Sequence, residues 1–101
     1  MAEFEIKWND KAEESLRQIL EFYLVQNGSA EYSLKLHDEI IVGIEVLKKF
    51  PKAGKQINYK DIYELVFARN SVFYRIEQST IFILLVWDNR QNPEKLSKNF
   101  L

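Results

Sequence analysis

Apolar and polar residues alternate at the start of the chain, Phe4, Ile6 and Trp8 against Glu5 and Lys7, and predict a short half-buried strand over 4–8. Asn9 or Asp10 then offers an N-cap, and Glu13 and Glu14 fall in the first turn, where the helix dipole favours acids. Ala12, Leu16, Ile19, Leu20 and Tyr23 recur at helical spacing, and Asn27-Gly28 supplies the stop. Ser29 is placed to cap a second helix. Ala30, Leu34, His37, Ile41 and Ile44 trace one of its faces, while Leu36, Ile40, Val42, Val46 and Leu47 widen it. So broad a stripe predicts burial on two sides, as the inner member of an antiparallel helix pair lying between the first helix and a sheet. Phe50-Pro51 ends this helix.

Residues 52–60 hold little apolar content and read as a long loop. Three strands follow. Over 62–69, Tyr63, Leu65 and Phe67 share a face; over 72–77, Val72, Tyr74 and Ile76 do so; and 80–87 is apolar almost throughout. Asn70-Ser71 and Gln78-Ser79 supply the two hairpin turns. An apolar run without alternation implies burial on both faces, so the last strand belongs inside the sheet. Beyond Pro93, residues 94–101 form a weakly amphipathic tail. The order β-α-α-β-β-β predicts an α+β domain, a helical hairpin packed on one face of a mostly antiparallel four-stranded sheet.

Composition narrows the class. With 101 residues, 47% of them hydrophobic, the chain suits one domain over 1–101 and excludes both a two-domain protein and a disordered chain. It has no cysteine and one histidine, which excludes a disulfide scaffold and speaks against a zinc centre, so neither metal nor cofactor is expected. The first eight residues lack a basic segment followed by an apolar one, which predicts a cytoplasmic product. The longest apolar run, 81–87, is far short of the ~20 residues that span a bilayer, so no membrane partner is expected.

Charge changes the picture further. The formal net charge is −1, but residues 1–47 carry four basic groups against ten acids and residues 48–101 carry ten against five. A partner within a Debye length of ~8 Å feels the local potential and not the total. Lys48, Lys49, Lys52, Lys55 and Lys60 fall in one stretch without an acid. They read either as a basic surface for nucleic acid or another target, or as charges that complement a helix C-terminus and solvate a loop.

Trp8-Asn9 with Ala12, Leu16, Ile19 and Tyr23, then Leu47, Phe50-Pro51 and Gly54, then Glu64-Leu65-Val66, Phe73-Tyr74-Arg75-Ile76, Ile83, Val86 and the run from Arg90 through Pro93 to Leu96 form an ordered set over nearly the whole chain. In this the chain resembles the RelE/ParE family of toxins from bacterial type II toxin–antitoxin modules, the ParE-like branch above all. The resemblance implies the fold derived above, growth inhibition and plasmid stabilisation. It implies a cognate antitoxin as partner and leaves a homodimer or a toxin–antitoxin heterotetramer open. Family members act in two ways, by poisoning DNA gyrase or by cleaving mRNA on the ribosome without a metal. An inactive homologue that only binds antitoxin is a third reading.

Metal-free RNA cleavage needs a base, a cation for the developing phosphorane charge and an acid for the leaving oxygen. Arg69, Arg75 and Arg90 are the candidate cations, Tyr74 a candidate donor and Asp88 a candidate base, with Lys52 or Lys55 from the loop. Lys49, Lys52, Lys55, Lys60 and Arg90 are the candidate target-binding residues. Nuclease members of the family commonly carry a histidine or tyrosine near the end of the last strand, where this chain has Asp88-Asn89. The simpler role for Asp88 is to pair with Arg90 or Arg75. His37 reads as a hydrogen-bonded structural histidine on the apolar stripe, and Trp8 and Trp87 as core or core-edge aromatics. The missing histidine and the mildly acidic pI favour gyrase binding over the endoribonuclease.

Overall fold

Asn9 sits in extended conformation and its side-chain oxygen accepts the Ala12 N–H at 2.8 Å, so α1 (Asp10–Asn27) starts at the cap the sequence offers. It stops at Gly28, whose φ of 67° belongs to the left-handed region and whose N–H returns to the Leu24 carbonyl. The structure, a computed structural model, describes residues 3–57, 61–67 and 69–91. Lys60 and the tail beyond Gln91 lie outside the described residues.

The second helix, α2 (Glu31–Glu45), runs on into a 3-10 turn at Val46–Lys48. Ser29 does not cap it. Ala30 occupies the cap position with no side-chain hydrogen bond, and Ser29 stands one residue too early. The buried stripe is Ser33, Leu36, Ile40 and Ile44, continued by Leu47, whereas Leu34, Val42 and Val46 face solvent. The helix therefore buries one face, and the inner position in the pair belongs to α1, which lies along the sheet while α2 flanks it. Ser33 explains the offset: its hydroxyl donates to the Leu20 carbonyl at 2.8 Å, turning a polar residue towards α1.

Among the described residues the sheet has five strands, β1 (Glu5–Trp8), β2 (Lys55–Gln56), β3 (Tyr63–Phe67), β4 (Asn70–Glu77) and β5 (Thr80–Asp88), in the order β1-β5-β4-β3-β2. Only β1, beside β5, is parallel to its neighbour. The fifth strand is the two-residue β2, which forms inside the predicted loop because Lys55 and Gln56 pair with Glu64 and Tyr63. The apolar β5 is an interior strand, as its composition requires.

One hairpin turn differs from expectation. Gln78 turns with a positive φ, and Glu77 pairs with Thr80. Asn70 and Ser71, however, are buried members of β4, and the other hairpin closes between Phe67 and Asn70. Ser71 is held in the ladder by its side chain, which donates to Glu64 Oε2 at 2.5 Å and accepts from Asn89 Nδ2 at 3.0 Å. A buried polar residue whose hydroxyl is hydrogen-bonded does not need a turn.

The register slips between Phe73 and Tyr74, so that Phe73 opposes Leu85 and Tyr74 opposes Ile83, leaving Leu84 as an extra residue. Before this bulge Ile81 and Ile83 join the core under the helices; after it Val86 does, and Leu85 and Trp87 pack on the other face with Ile62 and Phe73. The Val86 N–H beside the bulge donates to Ser15 Oγ at 3.0 Å, tying α1 to β5.

Candidate functional site

The bulge decides which side Asp88 faces. Strict alternation from Ile81 and Ile83 would send Asp88 away from the helices, but one extra residue inverts the parity and brings it under α1. There it is 4% exposed and accepts hydrogen bonds from the Tyr23 hydroxyl, the Arg90 N–H at 2.9 Å and the Arg90 guanidinium at 3.1 and 3.2 Å. Arg90 in turn lies over the Tyr23 ring, 4.4 Å from its centroid. The pairing of Asp88 with Arg90 is one of the two the residue types suggested, Arg75 being the other; the part of Tyr23 had no signal beyond its place in the α1 core stripe.

Arg69 joins this end of the sheet through the backbone, since its carbonyl accepts the Asn89 N–H at 2.8 Å. Two clefts flank the cluster. One of about 390 Å³ is lined by Ser15, Ile19, Phe22, Trp87 and Asp88; the other, of about 710 Å³, holds both Arg69 and Arg90.

Tyr74 is elsewhere and wholly buried. Its hydroxyl donates to the Pro51 carbonyl at 2.8 Å and accepts the Gly54 N–H at 2.9 Å, while its ring stacks on Tyr63 with centroids 5.4 Å apart. Burial pushes the pKa of this phenol up, only partly offset by the Gly54 N–H. The geometry makes Tyr74 the anchor of the loop that carries Lys52 and Lys55, both exposed. Lys49 is exposed and 4.0 Å from Glu3. The Lys48 amine is held above its usual value, chiefly by its hydrogen bond to Glu45.

Arg75 alternates with Tyr74 and so lies on the sheet face away from the helices, 3.7 Å from Glu77. The candidate cations are thus split: Arg69 and Arg90 share one cleft, Arg75 occupies the opposite face, and Lys52 and Lys55 belong to the loop and edge strand. His37, read as a hydrogen-bonded structural histidine, is half-exposed beside Trp8 and Arg17, with Nδ1 3.5 Å from Asp38. Sequence reasoning also missed the Glu64–Ser71–Asn89 cluster, because Ser71 read as a turn. Among the described residues no group of acids and histidine is arranged to hold a metal ion, and no helix is long and apolar enough to cross a membrane.

Comparison with solved structures finds three informative likenesses. A chain of the chromosomal ParDE toxin–antitoxin system from Pseudomonas aeruginosa is 25% identical, with a TM-score of 0.73 over 82% of this chain and 92% of that one. The toxin–antitoxin complex RelBE2 from Mycobacterium tuberculosis shares the fold at 16% identity and a TM-score of 0.59, over 83% and 95% of the two chains. A mutant of the Escherichia coli toxin RelE in the free state does so at 12% identity and 0.61, over 99% and 95%. No curated protein matches. The family model described as ParE toxin of type II toxin–antitoxin system, parDE, matches residues 6–93, from the first strand through the Asp88–Arg90 cluster. The chain belongs to the ParE toxin family.

Proposed function

We propose that this toxin arrests bacterial growth from the cytoplasm by binding DNA gyrase, and that a cognate antitoxin neutralises it. The observation that carries the choice of target is the commitment of Asp88 and Tyr74, the two sheet residues considered for proton transfer. Asp88 is buried with its oxygens taken up by Tyr23 and Arg90, and the Tyr74 hydroxyl is buried, raised in pKa and spent on the backbone of the loop. Both are occupied by hydrogen bonds within the fold, so neither is free to take a proton from a ribose hydroxyl. The likeness to a ParDE chain supports the same reading.

An inhibitor needs surface complementarity and no proton relay. The anchored loop supplies Lys52 and the short edge strand Lys55 as exposed cations, a surface suited to an anionic partner. The test is a supercoiling assay with purified gyrase beside a ribosome-programmed mRNA cleavage assay on one preparation, with growth followed after expression without an antitoxin. Loss of supercoiling, slowed growth and intact mRNA are expected. Specific mRNA cuts that vanish in Arg75→Ala or Arg90→Ala would establish the endoribonuclease instead.

A further inference from the structure

The turn between β3 and β4 and the end of β5 meet at one end of the sheet, and their arginines open onto a single cleft of about 710 Å³. Its other walls are Tyr23, Tyr32, Gln26 and Asn27. The buried Asp88 carboxylate is one charge, and Arg90 takes it up in two guanidinium contacts. Arg69 is exposed and, among the described residues, has no acidic partner. The cleft therefore keeps one positive charge uncompensated beside a guanidinium that is already fixed in place. An Arg pair with one member immobilised is preorganised for an oxyanion, because less rotamer freedom is lost on binding.

Two features select the oxyanion. Gln26 and Asn27 end α1, whose C-terminal carbonyls carry partial negative charge, and this opposes a doubly charged phosphate more than a singly charged carboxylate. The wall is also aromatic: Tyr23 and Tyr32 meet edge to face at 5.1 Å, and Phe22, 58% exposed, packs edge-on against Tyr23. A free anion would leave those rings wet, whereas a peptide would cover them. We infer that the cleft is a docking site for an acidic peptide segment of a protein partner. A Glu or Asp carboxylate lies between Arg69 and Arg90, the amides of Gln26 and Asn27 offer further donors, and a neighbouring apolar side chain rests on Phe22 and Tyr32. Only the naming of the segment's owner as the antitoxin rests on the toxin reading; the cleft's chemistry does not.

The test uses the full chain and three probes: the peptide acetyl-Leu-Glu-Glu-Leu-amide, its glutamine counterpart acetyl-Leu-Gln-Gln-Leu-amide, and inorganic phosphate. Binding is followed by nitrogen–proton NMR, including the arginine Nε–H signals. Saturable shifts at Arg69, Arg90 and Tyr32 are expected with the glutamate peptide, with affinity about tenfold lower for the glutamine peptide and falling as salt rises. Arg69→Gln should lose about the same factor, and Arg69→Lys, which keeps the charge without the fork, should fall between. Equal binding of the two peptides, an unchanged Arg69→Gln, shifts confined to other surfaces, or tighter binding of phosphate than of the glutamate peptide would each overturn the inference. Should Arg69→Gln perturb the fold, Arg69→Lys and the peptide pair still decide. Gyrase is absent from this experiment, so its failure and the failure of the gyrase reading are read separately.

Discussion

The Tyr74 hydroxyl bridges the Pro51 carbonyl and the Gly54 N–H from a position with no solvent exposure, so removing it leaves two backbone groups without their partner. Tyr74→Phe should cost about 1–2 kcal/mol in urea unfolding, the range for losing a buried hydrogen-bonding group. Its pH dependence has a definite sign. Because burial raises the folded-state value above that of the unfolded chain, the contribution is complete below pH ~10 and is lost as pH climbs towards the folded value. Alkaline unfolding of Tyr74→Phe should lack this step. At the other end of the sheet, Asp88→Asn removes the charge that holds Arg90 against Tyr23. Breaking such a pair should cost about 2–4 kcal/mol and lower the thermal midpoint by about 10 °C or more. Both residues are prominent in the sequence as candidates for chemistry, and their bonds show that each holds distant segments together.

Among the elements, the loop before β3 shows how closely backbone and side chains are fitted. A Cβ on Gly54 would stand 2.7 Å from the Tyr74 hydroxyl oxygen and 2.8 Å from the Glu64 carbonyl oxygen, and the latter is backbone that cannot swing aside. A Cβ on Gly43, in α2, would meet the end of the Phe67 ring at 2.9 Å, and a ring can move. Gly54→Ala should therefore destabilise by about 1–3 kcal/mol and expose loop amides to hydrogen exchange, and Gly43→Ala should do less. The reverse order in paired urea melts would contradict this picture of the loop. The alternation rule serves β3 well, since Tyr63, Leu65 and Phe67 do share the helix face. It fails in β5 at a single residue, Leu84, because bulges arise from pairing with another strand and leave no mark on a run that is apolar throughout.

Over the whole molecule, charge is divided by architecture: the acidic first part forms β1 and the helices, and the basic remainder includes the anchored loop and the sheet strands β2 to β5. Near-zero net charge thus conceals a polar molecule whose encounters depend on salt. Reversing Lys52 and Lys55 together to glutamate should weaken target binding by about tenfold or more at low salt and flatten its salt dependence, with far-ultraviolet circular dichroism unchanged. Inhibition that survives the double reversal at every salt concentration would place the target surface elsewhere.

The order of elements apart from β2, the start of α1 at Asn9 or Asp10 and its stop at Gly28, its core stripe and the interior place of β5 were determined by sequence alone, because caps, periodicity and apolar runs act over a few neighbouring residues. What lay beyond local reach was decided by tertiary structure. Ladder pairing with Phe67 and Asp88 kept Asn70 in β4 rather than in a turn, the Glu64 and Asn89 side chains kept Ser71 there, and the burial of Ser33 against Leu20 rotated α2 so that Leu34 and Val42 face water. Pairing drew β2 out of the loop, and one bulged residue turned Asp88 towards Tyr23 and Arg90. The meeting of Arg69 with Arg90 is of the same kind. Each arginine is plain in the sequence, but the cleft between them exists only because two strand ends are stapled by the backbone bond from Asn89 to Arg69.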